Sequence, residues 1–164
     1  MGLMIPGQLA TLLNDLGYMW PETDEQKLLQ MGTSWTGFSG TVRQPVADAH
    51  AHAQQVWSAN HGQAIEAFQQ AWNHPAGPHK NLLDGASGAT GIGAGLMMCA
   101  DVVLALKINV IVQLTKLAIE IIEAIATAPV TFGASLLEIP VFKEITGLLI
   151  NLLINVALNA IMGG

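Results

Sequence analysis

The chain has 164 residues, of which 51% are hydrophobic and only 11% charged, with a mean hydropathy of +0.44. That length suits one domain with a real core. Soluble domains carry about a quarter charged residues, so a partner, further chain or lipid is expected to cover much apolar surface. A net charge of −6 with six Lys and Arg excludes nucleic acid, whose phosphates need a basic face.

Met1 to Met19 has no basic n-region, and Pro6 and Asp15 interrupt its apolar residues. It does not read as a cleavable signal peptide. A protein made in the cytoplasm and secreted, or held at the cell envelope, is then expected to leave by another route. Strand periodicity is nearly absent, and three-four spacing recurs throughout. Pro6 opens a short helix with Leu9, Leu12, Leu13 and Leu16 on one face, ending at Gly17. Trp20-Pro21-Glu22-Thr23-Asp24-Glu25-Gln26 starts a second helix, with Thr23 as cap and Gln26 at the capping-box position. That helix carries Leu28, Leu29, Met31 and Trp35. Gly37, Gly40 and Pro45 predict a kink or short break between Phe38 and Gln44, after which helix resumes from Val46 to Trp57.

Trp57-Ser-Ala-Asn-His-Gly62 predicts a glycine-permitted turn. The helix that follows returns with Ala64, Phe68 and Trp72 on one face and runs to about Asn73. Ala64 is expected to let it approach its partner closely. Hairpins of this kind are more often scaffolds or docking modules than enzymes. His74-Pro-Ala-Gly-Pro78 stops the helix. Gly85 to Gly95 reads either as a flexible linker or as a small-residue helix face suited to close contact; helix is expected from Ile92, or from as early as His79. Leu96 to Ala126 predicts a long helix on which Asn109, Gln113, Lys116, Glu120 and Glu123, with Asp101 in line, form one narrow polar stripe. Such a helix is expected to be buried around most of its circumference. Cys99, the single cysteine, excludes an internal disulfide and reads as a buried small hydrophobe. Pro129 to Gly133 is a turn. Pro140 begins a last helix reaching about Met162, apolar except for Asn151, Asn155 and Asn159 on one edge.

Ile5-Pro6, Leu9, Trp20-Pro21-Glu22, Asp24-Glu25, Leu28 and Trp35, then Trp57, Gly62, Phe68 and Trp72, together resemble the WXG-like helical domain of actinobacterial proteins. The resemblance is specific over about Leu3 to Trp72 and follows the order of elements thereafter. In that group the domain heads polymorphic toxins exported by type VII secretion. It implies an all-α fold, an elongated helical bundle built on a WXG-like hairpin with two further long apolar helices. Residues 1–80 would be the hairpin with its short N-terminal helix, and 81–164 an apolar extension packed on it as one continuous domain. The implied function is a non-enzymatic targeting and docking module of a type VII effector. Its partners would be a WXG-type protein or chaperone, a second copy, or the secretion machinery, and the interface would use Trp35, Trp57, Gly62, Phe68 and Trp72. Two departures stand out. The Trp-x-Gly turn is stretched to Trp57-x-x-x-x-Gly62, and no tyrosine with an acidic residue four positions on follows the second helix. Tyr18, the only tyrosine, precedes the hairpin, so export is expected to rely on a partner's signal. With no effector domain after the module, the chain reads as an excised module or a stand-alone member.

No catalytic, metal or cofactor site is assigned. His50, His52, His61, His74 and His79 lie in the first half near Asp48, but His50 and His52 diverge on a helix and the rest sit at turns, unlike a helical ligand pair. Solvated or capping roles are expected for them. Ser58, His61 and Glu66 have neither nucleophile elbow nor oxyanion site. Gly91-Ile-Gly-Ala-Gly95 follows no strand, as a phosphate loop must. The tryptophans are read mainly as core anchors, with Trp57 and Trp72 the ones to reach a partner as well. The amides of Asn151, Asn155 and Asn159 form either a solvated edge or a helix-association edge, reaching a neighbouring copy or working in lipid. A competing reading makes the chain membrane-active or pore-forming. Leu96–Leu114 and Ile145–Ile161 approach the bilayer length of about 20 residues. Asp101 and Lys107 count against the first at about 3 kcal/mol each, whereas no charge follows Glu144.

Overall fold

A computed structural model describes residues 2–163, and among them there is no strand. The elements are α1 (Gly7–Asp15), α2 (Glu25–Ala59), α3 (Gln63–Asn73), α4 (Pro78–Thr127), a short 3-10 helix (Ala134–Glu138) and α5 (Ile139–Met162). This is the all-α bundle that the periodicity predicts. Two compact units are formed: Met1–Lys27 with Met98–Gly164, and Leu28–Met97.

The first unit is built around α1, α5 and the C-terminal half of α4. Leu13, Val110, Leu114 and Ile150 form its buried centre, and Leu9, Leu12, Leu16, Tyr18 and Trp20 pack against it. The apolar face predicted for α1 is therefore the face it buries. Gly17 ends that helix at a φ of +85°, where its amide and that of Tyr18 satisfy Asn14 and Leu13 carbonyls. On α4, Ala100, Val103, Lys107, Val110, Leu114, Leu117 and Ala124 are buried, one seam at three-four spacing. Leu104, Ile108, Val112, Ile119, Ile122 and Ile125 on other faces are exposed. Burial around most of this helix, as its composition suggests, does not occur, because α1 and α5 cover only one side of it. Cys99 is half-buried rather than enclosed. The cap of α2 also differs from expectation. Asp24, not Thr23, receives the Gln26 and Lys27 amides at 3.1 and 3.2 Å; with α2 beginning at Glu25, the carboxylate one residue later stands at the N-cap and meets the N2 and N3 donors.

In the second unit, α2 runs through Pro45 as one continuous helix, so of the kink or short break expected between Phe38 and Gln44 the break does not occur. Pro45 and Thr41, whose carbonyl loses its donor to the proline, are both exposed, so water can satisfy that oxygen. Val46, Ser39 and Ala53 are buried on the packed side, which offsets the cost of about 3 kcal/mol for a helical proline. The glycine-rich stretch from Gly85 to Gly95 is likewise helical, not a linker. Its small residues form a contact face: Ala86, Ala89 and Gly93 are buried. A Cβ on Gly32 would lie 2.8 Å from the Gly93 carbonyl oxygen, and one on Gly93 2.8 Å from that of Gly32. Two backbones cross here in direct contact. Ser39 and Thr90 hydroxyls meet nearby at 2.8 Å.

Candidate docking surface

The turn between α2 and α3 depends on Gly62, whose φ of +120° few residues with a side chain adopt. Its carbonyl accepts the amides of Ile65 and Glu66, and the Asn60 side chain caps α2 by donating to the Val56 carbonyl at 2.8 Å. The arms are then joined by aromatic rings. Trp57 meets Phe68 with centroids 5.7 Å apart, and Phe68 meets Trp72 at 5.9 Å, both tilted. Ala64 is exposed and closes nothing, so the expectation that a small residue brings the arms together fails. Rings four residues apart reach across the gap without it.

Histidines complete this cluster, a role their sequence positions did not suggest. The Trp72 indole N–H donates to His50 Nδ1 at 3.0 Å. Since indole only donates, that imidazole nitrogen must be unprotonated. His79, from the first turn of α4, stacks on His50 at 4.2 Å and on Trp72 at 5.9 Å. Imidazole rings within α2 and in the first turn of α4, both able to stack on an indole, were the available signal. His74 Nδ1 accepts the Ala76 amide and His52 Nδ1 meets the Asp48 carbonyl. Ser58 donates to the Gln55 carbonyl. Among the described residues no three His, Cys, Asp or Glu side chains group as metal ligands.

Trp35 stands apart from the other four assigned interface residues. It packs edge-on to Phe38 at 6.2 Å, and both are exposed, as is Met31 one turn earlier. Ser34, Trp35 and Phe38 border a shallow hollow of about 260 Å³. The sequence Trp35-Thr36-Gly37 thus has Trp-x-Gly spacing but sits within α2 and makes no turn.

The first unit holds the polar feature that sequence patterning missed. Lys107 occupies a core position of the α4 seam, where its ammonium donates to Glu25 Oε2 at 2.8 Å and to the Thr23 carbonyl at 2.6 Å. The same ammonium lies 5.8 Å from the Trp20 ring centroid. Glu25 also accepts the Leu3 amide. Burial alone would raise the Glu25 pKa, but the hydrogen bonds from Lys107 and Leu3, with the charge of Lys107, hold it at about 2. An open cleft of about 550 Å³ lies beside Lys107, bounded by Met4, Met19 and Trp20; with its ammonium donating to Glu25 and Thr23, Lys107 offers little to an anion. On α5, Asn151, Asn155 and Asn159 are exposed, and Asn155 donates to Asn151 Oδ1 at 2.7 Å.

A family model described as the WXG100-like domain matches residues 6–147. No curated protein and no solved structure matches the chain.

Proposed function

The chain belongs to the WXG100-like domain family, and we propose that it is a targeting and docking module of a type VII secretion effector of the polymorphic-toxin kind. Proteins with this domain are helical, related to type VII secretion and generally non-enzymatic, and they typically pair as helical hairpins. The observation that carries the reading is the exposed edge of α2 formed by Met31, Trp35 and Phe38. Aromatic rings facing water on a helix are costly unless another surface covers them. Here the hairpin's own closure is already accomplished by Trp57, Phe68 and Trp72, so this edge is spare. A helical partner lying along α2 would bury it and could also supply the export signal.

The test is export of the chain fused to a reporter, in a host with a working type VII apparatus and in one without. Export should require the apparatus and fall at least tenfold in a Trp35→Ala/Phe38→Asp variant that keeps wild-type helicity. Export that ignores either condition refutes the module reading.

A second reading has one observation in its favour. Gln63–Thr127 and Ala134–Met162 contain windows of mean hydropathy 2.0 that are only 22% and 17% buried, long and apolar enough to cross a membrane. Flotation of the purified chain with phosphatidylcholine vesicles would support insertion, and recovery in the lipid-free fraction would count against it.

A further inference from the structure

We propose that α5 carries a self-association interface, through which two copies of the chain pair in parallel and in register. α5 packs on its own unit through Thr146, Ile150 and Ala157. On the opposite side, Val141, Ile145, Leu148, Leu152, Asn155, Asn159 and Met162 follow one another at alternating spacings of four and three. Each apolar member is more than half exposed, and both asparagines are exposed. This is a heptad seam, the pattern by which one helix packs along another, about 33 Å long at 1.5 Å per residue. The helix already uses one seam internally; the second has no occupant within its unit.

The asparagines specify what that occupant is. An amide placed in an apolar seam must meet a hydrogen-bonding group or lose its water uncompensated. A second copy in parallel register sets Asn155 against Asn155 and Asn159 against Asn159. Asn155 spends one N–H on Asn151 Oδ1 and keeps its other N–H and its carbonyl oxygen, so each amide still offers both a donor and an acceptor. An antiparallel copy matching the same amides would carry Val141, Ile145 and Leu148 past the end of α5 at Met162. An unrelated apolar helix would leave the amides facing hydrocarbon. No charge lies on α5 beyond Glu144, so from Ile145 onward nothing repels an identical neighbour. Polar residues at such positions fix register and partner number, which is the role assigned to this pair.

Sedimentation of the whole chain should show a concentration-dependent dimer. Leu148→Glu/Leu152→Glu should weaken it roughly 100-fold or more, since each charge enters the seam twice, with helicity unchanged because both side chains are exposed. Val141→Glu/Met162→Glu provides an independent variant if the first pair fails to fold. In a Cys99→Ser background, Asn155→Cys should cross-link the two copies rapidly, while Thr115→Cys on α4 should not. Trp35→Ala/Phe38→Asp should dimerise normally, which separates this interface from the docking edge on α2. The proposal is overturned by a chain monomeric at all concentrations, by dimers insensitive to the seam variants, or by equal cross-linking at both thiols. A monomer that instead floats with phosphatidylcholine vesicles would assign the seam to lipid and overturn it as well.

Discussion

Lys107 stabilises the first unit only because Glu25 meets it. With side chains 3% and 7% exposed, neither charge has bulk water to fall back on. Lys107→Met leaves a buried carboxylate alone and should cost about 3–5 kcal/mol, whereas Lys107→Met/Glu25→Leu should recover most of it, read by denaturant melts. The pair also fixes an acid response. A carboxyl held near 2 in the folded chain and near 4.5 when unfolded contributes stability fully above about pH 4.5. That contribution is lost as pH falls from there through 2. Melting temperature should therefore decline over this window more steeply in the native chain than in Glu25→Gln. At the turn, Gly62→Val forces a branched residue to a φ of +120° and should destabilise by about 1–3 kcal/mol. A melting curve indistinguishable from the parent would mean that the turn relaxes freely.

Among the elements, α2 and α4 illustrate how packing overrules local propensity. Glycine and proline discourage helix, yet Pro45 and the Gly85–Gly95 stretch are helical. The Gly32–Gly93 crossing explains why the second is worth its propensity cost. Gly93→Val places branched carbon within 3 Å of the Gly32 carbonyl and should cost at least about 1–3 kcal/mol by overpacking, seen as an earlier thermal transition. Gly88→Ala, with nothing within 4 Å, should be neutral or stabilising. The hairpin rings are less deeply placed than tryptophans of a core. Trp57 and Trp72 are half-buried, so alanine at both should cost about 1–2 kcal/mol each, below the 3–5 expected for full burial.

At the level of the whole molecule, the two compact units are not consecutive halves of the chain, since Met1–Lys27 belongs with Met98–Gly164. The last helix is therefore core and surface at once. Ile150 joins Leu13, Val110 and Leu114 at the buried centre, and the Tyr18 hydroxyl donates to the Gly147 carbonyl at 2.9 Å. Removing residues 135–164 should abolish folding of this unit rather than improve solubility, as read by loss of cooperative melting and increased binding of a hydrophobic dye.

Helix class, the burying face of α1, the glycine turn and the start and end of α5 were legible from spacing and punctuation, because they depend on residues within one or two turns of each other. The family likeness was legible for the same reason, its tryptophans and turn residues being fixed by position along the chain. Distance in sequence hid the rest. Whether Gly85–Gly95 was linker or helix depended on Gly32, which lies more than fifty positions away, and whether Lys107 was a flaw in an apolar run or an anchor depended on Glu25. His50 and His79 became part of an aromatic cluster only when α4 began beside α2. Periodicity states that a face is apolar, but how much of it is covered depends on how many neighbours the folded chain supplies. For α4 and α5 that number leaves wide apolar faces open, and only the three-dimensional arrangement could decide it.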